Sequence, residues 1–308
     1  MHIPNGYLSD PICALTGATA AGALGLSVAR IRRAGNSGAC NWMAVTGAGI
    51  FAAQMINFSV DHGTSGHMLG AALAAITVGP WAAMITMTLV LVAQCFLFGD
   101  GGLTALGANT LNMAVVATLS ASAIYAAVGR FAQARGKWLP AALAAFGSVL
   151  AAALMCSLEL AASGTQPLSQ VLPAVMLAHL PIAGGEALIT LAVLAALAGA
   201  GVQLPVTAQQ PTARRRFVVA GLALAVAVAV LLSPLSSTLP DGLERTAEDL
   251  GFANLASGNL LPSFADYSMP GIAWPVLATG LAGSLGVITV FITTLAASRA
   301  ATSKVRKH

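Results

Sequence analysis

Residues 66–98 read GHMLGAALAAITVGPWAAMITMTLVLVAQCFLF, a run without a single Asp, Glu, Lys or Arg. A bilayer core of about 30 Å takes about 20 helical residues at 1.5 Å rise each, so the run is too long for one crossing. Gly79-Pro80 interrupts it. Proline lacks an N–H and its ring clashes with the preceding turn, so a helix ends or turns there. By the same ruler, further apolar stretches fall near 12–30, 41–60, 104–129, 138–162, 171–200, 217–236 and 270–297. The 308-residue chain is 57% apolar and 8% charged, with a mean hydropathy of +0.83. An ordinary soluble domain carries about a quarter charged residues. A water-soluble globule, a disordered chain and a single-anchor protein are therefore excluded, and the short alternating segments of a membrane barrel are missing. The expected fold is all-α, a polytopic membrane helix bundle.

The basic residues decide the number of crossings. Suppose 66–79 and 80–98 each cross and the N-terminus starts outside. Nine segments then place Arg30, Arg32 and Arg33 in the cytoplasm, followed by Arg130, Arg135 and Lys137 and by Arg214, Arg215 and Arg216. Arg299, Lys304, Arg306 and Lys307 join them, and Arg245 alone stays outside. A single crossing at 66–98 would put every later cluster on the wrong face. In this topology Asp10, Asp61, Asp100, Glu159, Asp241, Glu244, Glu248, Asp249 and Asp266 lie outside, and Glu186 alone lies within a span. The expected location is a bacterial inner membrane, multi-pass, with the N-terminus outside and the C-terminus cytoplasmic. A net charge of +4 distributed in such clusters does not point to nucleic acid.

Residues 1–205 hold seven segments and form the expected first domain. Residues 206–216 read as a basic cytoplasmic linker, and 217–308 as a two-helix accessory segment around an outer loop at 237–269. Met1 to Asp10 lacks a basic n-region and a cleavage site, so it reads as retained. Cys13, Cys40, Cys95 and Cys156 sit in or beside apolar runs without CxxC spacing, as small buried hydrophobes do.

A chain that starts Met1-His2 offers three nitrogens. The α-amine and the His2 amide close a five-membered chelate ring, and the amide and imidazole Nδ1 close a six-membered one. Three coplanar nitrogens plus a fourth select Ni(II) or Cu(II) over tetrahedral Zn(II) or octahedral Mg(II). Three histidines are candidates for the fourth nitrogen: His67, His62 and His179. His67 is favoured because Gly63 and Gly66 flank it and allow close backbone approach, whereas His62 is expected in solvent. Taken singly, His2 reads first as an arbitrary second residue and each other histidine as a hydrogen-bonded structural group. His179 with Glu186 would mark a proton route. Gln94, Asn57, Asn109 and Asn112 read mainly as interhelical hydrogen-bonding groups, with orientation of a metal ligand as the lesser option. Asn109 and Asn112, three apart, are expected to share a helix face. The acids of the outer loop read as solvated surface, with cation gathering or gating as the minority role. No GxxxxGK[ST], HExxH or GxSxG motif occurs.

The opening MHIPNGYLS, the stretch 63–67 (GTSGH) and the stretch 94–109 (QCFLFGDGGLTALGAN) resemble the NikM/CbiM family, and 240–244 (PDGLE) resembles its small NikN/CbiN-type companion. Members are substrate-binding subunits of energy-coupling-factor transporters for nickel and cobalt. The resemblance covers 1–200 and about 217–300. It implies a fused metal-binding and accessory subunit, with Met1, His2 and His67 as metal ligands and Ni(II), or else Co(II), as substrate. It also implies partners on other chains: a transmembrane coupling subunit and cytoplasmic ATPase subunits, so that this chain is not itself an enzyme. Where the family has apolar or Pro-Gly residues before Gly-Thr, this chain has Asp61-His62. The rival readings are a proton-coupled secondary metal transporter using His179 and Glu186, a metal-dependent membrane hydrolase, and a sensory or assembly protein.

Overall fold

The computed structural model describes residues 1–34, 37–60, 63–131, 136–204, 215–258 and 263–303. After a buried N-terminal segment, α1 (Asp10–Ala34) starts on an acid and ends on Arg32 and Arg33. Charge of that order complements the helix dipole. A shorter α2 (Cys40–Gln54) leads into a two-stranded antiparallel hairpin, β1 (Asn57–Val60) and β2 (Thr64–His67), in which Asn57 pairs with His67. Then come α3 (Ala71–Val78) and α4 (Pro80–Ala93), the latter continued as a π-helix over Gln94–Phe98. Gly79, at φ 83°, supplies the break foreseen at Gly79-Pro80, and Pro80 opens α4 where its missing N–H costs nothing.

The next long helix is α5 (Leu106–Asn109), a π stretch (Thr110–Val116) and α6 (Ala117–Phe131) in succession. Helices α7 (Trp138–Ala162), α8 (Leu168–Gly199) and α9 (Arg215–Leu231) follow. A small α10 (Gly242–Asp249) and the long α11 (Pro275–Thr302) complete the chain. Helix α8 runs through Pro173 and Pro181, which membrane-type helices tolerate when neighbours satisfy the freed backbone groups.

Seven of these helices are long and apolar enough to cross a membrane: Asp10–Ala34, Pro80–Phe98, Leu106–Phe131, Trp138–Ala162, Leu168–Gly199, Arg215–Leu235 and Pro275–Thr302. The other two segments expected from sequence, 41–60 and 66–79, differ. They contain the shorter α2 and α3, joined by the hairpin and a buried turn. Hydropathy cannot distinguish a buried extended segment from a helical one. Non-helical backbone at depth survives where protein rather than lipid surrounds it, and β2 is buried at every position. Because the two short helices are consecutive, the parity of the basic clusters is the same whether both cross or neither does.

Helices α9 and α11 pack on α2 and α4 through a shared core that includes Phe51, Val90, Phe98, Ala229 and Val290. Gly286 on α11 makes room for the rings, since a Cβ there would lie 2.2 Å from Phe51 Cζ. The four cysteines are free, and all but Cys13 are buried. Much of the expected linker, including Arg214, lies outside the described residues, as do Asp61, His62, Arg135, Lys304, Arg306 and Lys307.

Two acids are tied into the fold. Glu159, expected on the outer side, is buried in the last turns of α7, accepting from Asn112 Nδ2 at 2.7 Å. Glu186 on α8 accepts from Leu69 N at 2.6 Å and Gly70 N at 2.9 Å. A carboxylate on two orphan N–H groups at the start of α3 fixes the chain just after His67. Both oxygens of Glu186 thus face the backbone just before α3, and the structure shows no hydrogen bond from it to His179. Glu186→Ala leaves two buried N–H groups without an acceptor, and we expect roughly 2–4 kcal/mol of stability to be lost, read as a lower midpoint of thermal unfolding in detergent.

Candidate metal site

The first residues are held as firmly as the core. Ile3 is fully buried, and its N–H donates to Asn109 Oδ1 at 2.8 Å. Its carbonyl accepts from Asn109 Nδ2 at 3.0 Å and from Gly102 N at 2.8 Å. Asn5 Oδ1 accepts from Thr104 N at 2.9 Å, and Ser257 N donates to the Asn5 carbonyl at 3.0 Å. Gly102 is required by this approach: a Cβ there would stand 2.2 Å from Asn5 N. Asn109 and Asn112 therefore do not share a face. The π stretch that begins at Thr110 rotates Asn112 away toward Glu159, while Asn109 serves the N-terminal backbone rather than another helix.

So held, the Met1 amine reaches across the chain to Asp241 Oδ2 at 2.5 Å. Asp241 is the N-cap of α10. Its other oxygen accepts from Leu243 N at 2.7 Å and Glu244 N at 2.9 Å, and Glu244 returns a bond to Asp241 N at 2.9 Å. The PDGLE motif is thus a capping box. Its backbone is stapled to the strand that carries His67, because Ser65 N donates to the Pro240 carbonyl at 2.8 Å and Ser65 Oγ to that of Leu239 at 2.7 Å. The expectation that Asp241 belongs to a solvated acidic surface is corrected: its side chain keeps 15% exposure and faces the amine. Sequence spacing cannot show a partner 240 positions away. Arg245, Glu248 and Asp249 do form a solvated ion-pair group on α10.

His2 Nδ1 lies 3.0 Å from Asp100 Oδ1, and His2 Nε2 lies 3.2 Å from Gln94 Oε1. Both neighbours are acceptors, because Gln94 spends its amide N–H on Gln54 Oε1 at 2.7 Å. Gln54 in turn donates to the Leu69 carbonyl at 2.6 Å. A relay of two glutamines therefore connects His2 to the turn after His67, which makes Gln94 a positioning group for a candidate ligand rather than only an interhelical bond. The His67 ring stacks on His2 with centroids 5.1 Å apart. His67 Nδ1 donates to the Met68 carbonyl at 2.9 Å, and its Nε2 is buried without a hydrogen-bond partner. Gly66 does not serve a ligand as expected. A Cβ there would meet Ile182 at 2.5 Å, so its smallness admits α8, and Gly63 has open space.

The electrostatics follow from burial and these contacts. Burial by itself would lower the amine's pKa, but the charge and hydrogen bond of Asp241, with Asp100 and Glu244 nearby, hold it above its ordinary value. Burial would raise Asp100 and Asp241. His2 and the Tyr267 hydroxyl, which donates at 2.6 Å, hold the first well below the carboxylate range, and the Met1 amine does the same for the second. Tyr267, itself at φ 55°, stacks on Phe98. It was not singled out in the sequence, and only its place in the outer loop offered any signal. The site opens into a cavity of about 650 Å3 that His2, His67, Asp100, Asp241, Glu244 and Tyr267 help to line. Among the described residues no three His, Cys, Asp or Glu side chains converge to hold a metal ion by themselves. The His2 ring stacks on His67, and Met1 and His67 line one small cavity, so the three residues named from sequence lie together.

A family described as the cobalt uptake substrate-specific transmembrane region, CbiM, matches residues 2–204, and the PDGLE domain matches 215–303. The chain belongs to the CbiM family. A relative from Archaeoglobus fulgidus is 34% identical over 97% of this chain and 98% of its own. The fused nickel transport protein NikMN of Rhodobacter capsulatus is 36% identical over 76% of this chain and 72% of its own. A crystal structure of a truncated transition metal transporter shares 36% identity and a TM-score of 0.59, covering 65% of this chain and 99% of that one. In this CbiM chain His2 and His67 come from the part that matches CbiM, and Asp241, the carboxylate on the amine, comes from the PDGLE part. Gly102→Ala forces the backbone at Asn5 to part from its support. We expect a loss of about 1–3 kcal/mol and faster amide hydrogen exchange confined to residues 2–5 and 101–104.

Proposed function

We propose that this chain is the substrate-binding membrane subunit of an ATP-driven energy-coupling-factor uptake transporter, capturing Ni(II) at Met1, His2 and His67. The observation that carries the reading is the buried, partnerless Nε2 of His67 beside the stacked ring of His2 and the immobilised amine. Amine, His2 amide, His2 Nδ1 and His67 Nε2 supply four nitrogens, the donor set that a planar Ni(II) ion takes. Before capture, the amine and His2 Nδ1 each face a carboxylate, Asp241 and Asp100. An arriving dication takes the place of one proton on the amine and of the proton on the His2 amide, two positive charges for two, so the charge opposite the carboxylates stays balanced. His2 Nδ1 must leave Asp100 in the process, while Nε2–H stays on Gln94, as ligating imidazoles do with an outer acceptor.

Nickel is supported by the name of the Rhodobacter capsulatus relative, and Co(II) by the family's description. The chain carries no phosphate loop, which suits ATP hydrolysis on partner subunits together with a separate transmembrane coupling subunit. The basic clusters support an N-terminus outside and a C-terminus inside a bacterial inner membrane. The division at 205 and 216 follows from composition, with the two-helix hairpin as an accessory segment. Proton-coupled transport through Glu186 has no support, since backbone N–H groups occupy both its oxygens.

The test is Ni(II) titration of the purified chain with a native or an extended N-terminus. One added residue before Met1 abolishes stoichiometric binding, and His2→Ala and His67→Ala each weaken it by about 100-fold or more. Undiminished affinity in the extended protein would refute the clamp. Capture also expels protons. Below the amine's raised pKa, apparent affinity falls about tenfold per pH unit for each proton displaced, so calorimetric titrations at pH 6.5 and 7.5 should show tighter binding at the higher pH.

A further inference from the structure

We propose that the large cavity beside His2 and His67 is an outer-sphere site, which holds the incoming dication with its water shell intact before the nitrogens take the bare ion. This deepens the reading above and rests on it for where the ion goes next. The cavity measures about 650 Å3. Six aqua ligands at about 30 Å3 each fill about 180 Å3, so a hexahydrated ion has room there. The space that Met1, His67 and Asp241 line is only about 10 Å3. A hydrated ion does not fit it, so an ion that reaches the amine has shed water first.

The lining matches such an ion in charge. Four carboxylates face the large cavity, those of Asp100, Asp241, Glu244 and Asp266, and no Lys or Arg lines it among the described residues. The amine opposes Asp241, and His2 with the Tyr267 hydroxyl opposes Asp100. Glu244 and Asp266 enter no ion pair among the described residues, which leaves two negative charges for a dication. A low-dielectric cleft lined by one sign of charge concentrates counter-ions. The lining also matches in hydrogen bonding. An aqua ion presents only O–H donors, and two buried acceptors on the wall have no partner. One is Asn57 Oδ1, directly across the hairpin from His67. The other is Nε2 of His67, a residue 9% exposed. The His67 ring proton sits on Nδ1, against the Met68 carbonyl, so Nε2 offers a lone pair. That lone pair serves twice: it accepts from an aqua ligand, and when that water leaves it takes the vacated place on the metal. Holding through water reads charge and size alone, so Mg(II) enters as readily as Ni(II), and selection is left to the nitrogens.

The probe is hexaamminecobalt(III) chloride, whose ammine shell imitates an aqua shell but does not exchange, so the complex cannot enter the clamp. It is titrated calorimetrically into the full chain in phosphatidylcholine nanodiscs at low ionic strength, where screening is weak. Stoichiometric binding is expected, and the bound complex should slow the association of nickel chloride without changing nickel dissociation. Glu244→Gln combined with Asp266→Asn removes the two unopposed charges. Glutamine keeps the capping box, and asparagine tolerates the left-handed backbone at 266, where φ is 52°. This variant should bind the complex about tenfold or more weakly and take up nickel more slowly by a similar factor, with nickel dissociation unchanged. The single substitutions, each with part of the loss, serve if the double variant does not fold. Glu248→Gln with Asp249→Asn, two acids that pair with Arg245 away from the cavity, should change neither quantity. Absence of hexaamminecobalt binding to the unaltered chain overturns the proposal, as does an equal loss in both double variants, the mark of diffuse surface charge. The extended N-terminus separates the two readings. Nickel binding that needs the free amine while hexaamminecobalt does not bind sinks only the outer-sphere site, and nickel binding that survives extension sinks the clamp.

Discussion

The ion pair between the Met1 amine and Asp241 closes the molecule on itself, joining the first residue to the accessory segment 240 positions later. Burying two charges costs several kcal/mol per ion unless each is paired and its remaining hydrogen-bonding capacity is used. Asp241 meets that condition by capping α10 with its second oxygen, so one carboxylate stabilises a helix start and a chain start together. The strand that carries His67 is bonded to the same turn through Ser65. Moving the PDGLE turn would therefore disturb the amine and the His67 strand together.

Around this pair, polar groups are arranged as backbone supports. Asn109 holds Ile3, Glu186 holds the start of α3, and the Gln94–Gln54 relay ties His2 to Leu69. In an apolar surrounding an unpaired backbone group is expensive. The non-helical N-terminal segment and the turn after β2 persist because side chains from several helices take over bonds that a helix would have made internally, while β2 itself bonds β1 and the Pro240 carbonyl. Among the described residues the Nε2 atoms of His67 and His179 are buried without a hydrogen-bond partner, and both rings line one small cavity beside Met1.

Much of this was legible in advance. Composition and the Gly79-Pro80 break announced a polytopic helix bundle, and Met1, His2 and His67 stood out by chemistry and resemblance. Less legible were the groups that act across long separations. Asp100, Glu159 and Asp241 were readable only as outer acids without partners, and Gln94 as an interhelical bond. Spacing also misled where local geometry departed from the regular helix, as at Asn109 and Asn112, which the π stretch turns apart.

The sequence by itself determined the class of molecule, since transfer of a long apolar run out of water is decided by composition and length. It also determined which nitrogens the chain could offer, because that is covalent chemistry at positions 1, 2 and 67. Only the tertiary structure decided which carboxylates oppose those nitrogens, that two expected segments are each a short helix joined to an extended strand, and that His67 and His179 share a cavity. These are contacts between residues far apart in the chain, and their energies depend on burial and direction, which no local pattern encodes.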